Sequence, residues 1–201
     1  MNIYFVLDLI GTAIFAYAGA ESAKKHGYHI IGVFFIATVA GIGGGSIRSL
    51  LLQEPSLFWI SSNHYLIVIG LTVLYTMQPL GQINTRSFQF QLLDGFAFAV
   101  FVSIGFSIAI QHHQATHVAF AMGILTGTGG GLIRDAILCQ APLALTDRIY
   151  PFMMFGGTFG SLLSHQFGWQ CWILALPAVI IVVFVNRAYQ RNFEYSKATS
   201  A

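Results

Sequence analysis

Gly41-Ile42-Gly43-Gly44-Gly45-Ser46-Ile47-Arg48 is the stretch that decides the fold of this chain. Three consecutive glycines and an arginine are out of place in the long apolar run around them, since each glycine costs a helix interior about 1 kcal/mol relative to alanine. The pattern returns as Gly127-Thr128-Gly129-Gly130-Gly131-Leu132-Ile133-Arg134, at an offset of 134 − 48 = 86 residues. The same offset relates Asp94 to Asp8, Phe101 to Phe15 and Gly105 to Gly19. A repeat that keeps its glycines, arginine and aspartate in step identifies a duplicated unit.

The solvent of that unit follows from composition. Of 201 residues, 56% are hydrophobic and 8% are charged. Soluble domains carry about 25% charged residues, and a chain this poor in charge reads as an integral membrane protein. The net charge is +2 and the sequence has no basic cluster, which excludes nucleic acid as a partner. The N-terminus lacks a basic flank and carries Asp8 within its first apolar run, so it reads as a first span and not as a signal peptide. Cys139 and Cys171 give no argument for a disulfide. His112, His113 and His117 read as a solvated loop, without metal-ligand spacing on a helix.

Seven spans of membrane-crossing length are expected, at 3–22, 29–52, 57–77, 88–110, 116–138, 149–164 and 169–185. A polar connection covers 78–87, and a polar tail from 186 to 201 is expected to fray outside the membrane. Spans one to three repeat as spans four to six, and the seventh is left over. The domains are therefore a first three-helix repeat over 1–87, a second over 88–168, and a seventh helix with its tail over 169–201. Three is odd, so the second copy is inverted, with a pseudo-two-fold axis in the membrane plane. Lys24, Lys25, Arg86, Arg148, Arg187, Arg191 and Lys197 fall on one side, which the positive-inside rule makes cytoplasmic. The N-terminus is then outside the cell membrane and the C-terminus inside.

The glycine triplets Gly43, Gly44, Gly45 and Gly129, Gly130, Gly131 fall near the middle of spans two and five. Matched triplets are expected to kink or unwind the helices and line a polar path, because freed backbone groups must face protein or water. Close helix packing is the alternative use of such residues. The intramembrane charges are read with them, since a charge at this depth faces a pathway or a partner. Asp8 lies about 8 Å below the outer boundary and Arg48 about 6 Å, at 1.5 Å per residue. Asp94 and Arg134 match each other near the inner boundary. Ion pairs Asp8–Arg48 and Asp94–Arg134 are expected, one near each end of a path. Asp135 has Ser49 as its counterpart, so the inner half has an acid at a position where the outer half does not. Glu21, near the inner end of span one, either faces the path or pairs with Lys24 or Lys25. No nucleophile–base set, phosphate loop or paired aqueous carboxylates occurs, so no enzyme activity and no cofactor are expected.

Seven spans in a 3+3+1 inverted repeat, with Gly-Gly-Gly-x-x-Arg in spans two and five, resemble the prokaryotic TRIC (trimeric intracellular cation) channels. Gly-Gly-Gly-Leu-Ile-Arg-Asp over 129–135 is the most specific part of the match. The family also carries the name glycine transporter. The resemblance implies a homotrimer in the lipid bilayer with an hourglass pore in each subunit, bounded by kinked helices two and five. It implies passive conduction of potassium and sodium. Gly43, Gly44, Gly45 and Arg48 correspond to its first kink, and Gly129, Gly130, Gly131, Arg134 and Asp135 to its second. The Lys-Glu-Val motif by which animal members bind an anionic lipid head does not occur here. Two readings stand at this point. A channel would use freed carbonyls and helix ends to replace a cation's hydration. A carrier for a small zwitterion such as glycine would use helix N-termini to bind a carboxylate.

Overall fold

A computed structural model describes residues 3–78, 88–146 and 149–199 of the chain. The connection at 79–87, with Arg86, and also Arg148 lie outside the described residues. The described residues are all helical apart from turns: α1 (Ile3–Lys25), α2 (Ile30–Leu51), α3 (His64–Met77), α4 (Phe88–Gln111), α5 (Thr116–Ile137), α6 (Leu143–Thr146), α7 (Ile149–Gln166) and α8 (Trp172–Thr199). Helices α1, α2, α4 and α5 are each long and apolar enough to cross a membrane, and α3 and the Trp172–Ala188 part of α8 are shorter apolar helices. The protein is an all-α, multi-pass integral membrane protein.

Three details differ from the expectation. The third span starts at His64, because Pro55, Ser56, Ser61, Ser62 and Asn63 favour turns over helix in the stretch before it. One-turn helix α6 precedes the sixth span, its Leu145 and Thr146 amides bonded back to the Pro142 carbonyl. The polar tail continues as helix to Thr199; Arg187, Arg191 and Lys197 along it are adequate helix formers.

Each half builds its own core. Ala16 and Ala20 of α1, Val33 and Ile36 of α2, and Tyr65 and Ile69 of α3 form the first. Phe98 and Val102 of α4, Met153 of α7, and Val179 and Val183 of α8 form the second. The halves meet where α2 crosses α5, and the crossing is where the glycine triplets lie. Both helices run through their triplets without a break in assignment. The expected unwinding is thus not what the glycines do. They let two backbones touch. A methyl group added to Gly44 would land on the carbonyl oxygen of Thr126, and one added to Gly130 on that of Ala40. Residues 40 and 126 are themselves one repeat apart, so the two contacts exchange under the pseudo-two-fold. Gly43 and Gly129 repeat the pattern: their Cβ positions fall 3.3 Å from Ile133 Cδ1 and 3.3 Å from Ile47 Cδ1. Only glycine allows this approach.

Candidate functional site

Helices α2 and α5 end in the same turn. At the end of α2, Gln53 has φ 54°, its amide bonds the Leu50 carbonyl, and the Glu54 amide bonds the Ser49 carbonyl at 2.9 Å. At the end of α5, Cys139 has φ 52° and the Gln140 amide bonds the Asp135 carbonyl at 3.0 Å. This left-handed cap folds the residue after it back over the last helical turn. Its consequence is chemical, because the returned side chains are Glu54 and Gln140.

The arginines pair with acids at these turns. Arg134, 8% exposed, bonds Asp135 Oδ1 through Nε at 2.7 Å. Asp135, 1% exposed, also accepts from Gln140 Nε2 at 2.7 Å and, through Oδ2, from the Leu143 amide at 3.0 Å. Arg48, 4% exposed, has Glu54 Oε1 at 3.9 Å from Nε. Glu54 Oε2 accepts the Ser49 hydroxyl at 2.6 Å, and Ser49 Oγ in turn receives Arg48 Nη2 at 3.4 Å. The guanidinium also stands over the Phe58 ring, 5.7 Å from its centroid. Position 49 matches 135 and position 54 matches 140. One acid serves each arginine, at the helix position in the inner half and at the turn position in the outer. The outer half therefore does have its acid, Glu54, five residues beyond the position where Asp135 suggested one.

The ion pairs expected between Asp8 and Arg48 and between Asp94 and Arg134 give way to these. Asp8 accepts the hydroxyl of Tyr65, and Asp94 that of Tyr150 at 2.8 Å. The acids and arginines still share cavities. Asp8, Gly44, Gly45, Arg48 and Phe58 line one of about 10 Å³, here called outer after the expected orientation. Asp94, Gly131, Arg134, Asp135 and Tyr150 line an inner one of about 30 Å³. The inner cavity is the larger: Ala144 stands where the outer one has Phe58, and a Cβ at Gly131 would meet only Arg134 Nη2, at 4.0 Å. Gly43 and Gly129 belong to the crossing. Glu21 lines neither cavity; it takes the Lys24 ammonium at 3.0 Å, and Lys24 also bonds the Thr76 carbonyl.

Phe15 marks where the two cavities come closest in their linings. Phe15 and Ala40 line both cavities, and Phe101 and Thr126 line the outer. The Phe15 and Phe101 rings stack at a tilt of 56°, with centroids 5.0 Å apart. These two residues are one repeat apart, so the pair straddles the pseudo-two-fold. Tyr65, Tyr150, Glu54 and Gln140 escaped sequence reasoning. The tyrosines are 150 − 65 = 85 residues apart, one short of the repeat offset. Glu54 and Gln140 keep the offset but differ in type. The offset alone would have aligned them; the identity of side chains would not.

Two small cavities, each lined by a carboxylate and by an arginine with an acid beside it, are set within an all-helical membrane protein. The chain belongs to the family described as Glycine transporter, whose profile matches residues 5–78 and 91–166. A UPF0126 membrane protein of Vibrio cholerae is 34% identical over 160 residues, 79% of this chain and 67% of its own length. The UPF0126 inner membrane protein YadS of Escherichia coli is 30% identical over 190 residues, 94% of this chain and 91% of its own length. Among solved structures, the TRIC trimeric intracellular cation channel orthologue from Rhodobacter sphaeroides matches with a TM-score of 0.78 and 29% identity, over 94% of this chain and 97% of that one.

Proposed function

We propose that this protein is a passive channel for monovalent cations, potassium and sodium, with an hourglass pore inside each subunit of a homotrimer. The observation that carries the reading is the pair of cavities that share Phe15 and Ala40 in their linings, with the Phe15 and Phe101 rings packed between the two halves. Each cavity presents a carboxylate to the path, Asp8 outside and Asp94 inside, and carboxylates in a pore draw cations. Glu54 and Asp135 offset Arg48 and Arg134, which would otherwise repel a cation. The likeness to the Rhodobacter channel supports cation passage and trimeric assembly.

The carrier reading fits the geometry less well. A carrier needs a substrate-sized site at the midplane. Here the midplane is filled by helix backbones and two aromatic rings. Cavities of about 10 and 30 Å³ hold one or two waters, not an amino acid. The arrangement is that of a closed channel, in which widening one constriction joins two prepared mouths.

The pore is made by the repeats at 1–87 and 88–168, with 169–201 added at the rim. Exposed apolar residues such as Ile31, Leu71, Phe152 and Ile181 meet lipid or neighbouring subunits. The inner membrane is the location, with the N-terminus outside and the lysine- and arginine-rich ends inside. Currents across a planar bilayer under a potassium chloride gradient test the proposal. A reversal potential near the potassium equilibrium value supports it, and larger currents from Phe15→Ser would mark the constriction. Absence of current from both the wild type and Phe15→Ser refutes it.

A further inference from the structure

The two mouths differ at 49/135, 54/140 and 58/144, and also in how one repeat-related pair of histidines is placed. His112, in the turn after α4, is the counterpart of His26, in the turn after α1, again 86 residues apart. His26 turns its Nδ1 onto the Ser22 carbonyl of its own helix at 2.9 Å. The acid position of its mouth is taken by Gln140, which is neutral and bonds Asp135 and the Ser22 hydroxyl. His112 instead points its Nε2 at Glu54 Oε1, 3.9 Å away. That oxygen is the same one that faces Arg48 Nε, also at 3.9 Å. Arg48 Nε is buried and has no hydrogen-bond partner. Arg48 and, once protonated, His112 thus meet at one carboxylate oxygen at the outer mouth, and among the described residues no such pair meets at the inner one.

We propose that His112 makes the outer mouth a one-sided proton sensor that closes the cation path in acid by drawing Glu54 away from Arg48. The inference rests on the channel reading above. Imidazole is the side chain that changes charge between about pH 5 and 8. Neutral His112 leaves Glu54 to offset Arg48, and the mouth admits cations. Protonated His112 takes Oε1 into a charge-assisted bond, while Ser49 retains Oε2. The buried Arg48 charge then faces the cavity without its acid, and the mouth has gained one positive charge. One unit charge within about 8 Å of the path, in water-like dielectric, lowers local cation concentration about two- to threefold.

The other groups at this end lie on four elements. Asp8 of α1 and Tyr65 of α3 bond each other and line or border the cavity beyond Arg48. His64 of α3 bonds Ser62 and stands edge-on to Phe5. His113 is exposed in the same turn as His112, and His117 is exposed on α5. None of these three histidines forms an ion pair with Glu54.

The experiment is planar-bilayer recording with each chamber acidified in turn from pH 7.5 to 5.5. Wild-type current falls two- to threefold when one chamber is acidified and stays unchanged when the other is. His112→Gln conducts like the wild type at pH 7.5 and loses the acid response; His26→Gln and His113→Gln keep it. Glu54→Gln, which removes the contested oxygen's charge, is low at both pH values and no longer responds. A response that survives in His112→Gln, or one equal from both sides, overturns the sensor. Wild-type current that ignores pH overturns it while leaving the channel intact. No current at pH 7.5 takes down the channel reading and the sensor with it.

Discussion

Replacing Gly44 or Gly130 by alanine should destabilise the fold, and replacing Gly131 should not. The contrast comes from what each new methyl group meets. At Gly44 it meets the Thr126 carbonyl and at Gly130 the Ala40 carbonyl, both backbone atoms of the facing helix that no rotamer change can move. The helices must part, and overpacking of this kind costs about 3 kcal/mol at its upper range. Alanine returns about 1 kcal/mol of helix propensity at either site. The net loss is about 2 kcal/mol for each, and the pseudo-two-fold makes the two losses nearly equal. At Gly131 the nearest atom is Arg134 Nη2 at 4.0 Å, the end of a side chain. There only the propensity gain applies, a stabilisation of up to about 1 kcal/mol. Unfolding in mixed micelles of mild detergent and SDS, followed by circular dichroism, measures all three. A Gly131→Ala variant less stable than Gly44→Ala, or Gly44→Ala and Gly130→Ala both neutral, would refute the account of the triplets as a contact surface.

Other substitutions separate the two mouths. Asp135→Asn leaves Arg134 buried without its counter-charge and should cost about 3–5 kcal/mol in the same micelle titration, whereas Ser49→Ala removes only one hydroxyl bond to Glu54 and should cost about 1 kcal/mol. Tyr65→Phe removes the hydroxyl that Asp8 accepts and should lower stability by about 1.5–3 kcal/mol. Phe15→Ser and Phe101→Ser should each raise potassium flux through reconstituted protein, and the double variant should raise it further, because the two rings close one constriction. Phe5→Ser, which alters a ring packed on Tyr65 and His64 away from that constriction, should leave flux unchanged.

The architecture was legible because duplication is a long-range signal. A triplet of glycines, an arginine and an aspartate recurring at one offset pointed to an all-helical membrane protein built from a duplicated unit, with the two triplets facing each other. What the glycines do was harder to read. Packing and unwinding both demand small residues at mid-membrane, and only the position of the facing helix tells them apart. Gly44 under Thr126 shows the close packing, and the unbroken α2 and α5 show no unwinding. The ion pairs were missed for a different reason. Depth matching brought Asp8 beside Arg48 correctly enough to share a cavity. It had no means of seeing a left-handed cap at Gln53, which carries Glu54 back to the same arginine. A non-glycine residue in that conformation leaves little trace in sequence. Tyr65 and Tyr150 were hidden by the one-residue difference in their connections, and as apolar-looking members of a span they carried no signal of their own.

The most direct test of the central claim is solute flux through purified protein in liposomes. Potassium-loaded vesicles are placed in a gradient without valinomycin, and potassium efflux is compared with uptake of labelled glycine. The account predicts potassium efflux, accelerated by Phe15→Ser, and glycine uptake no greater than in empty vesicles. Saturable glycine uptake with negligible potassium efflux would contradict it, and the two cavities would then be the alternating mouths of a carrier.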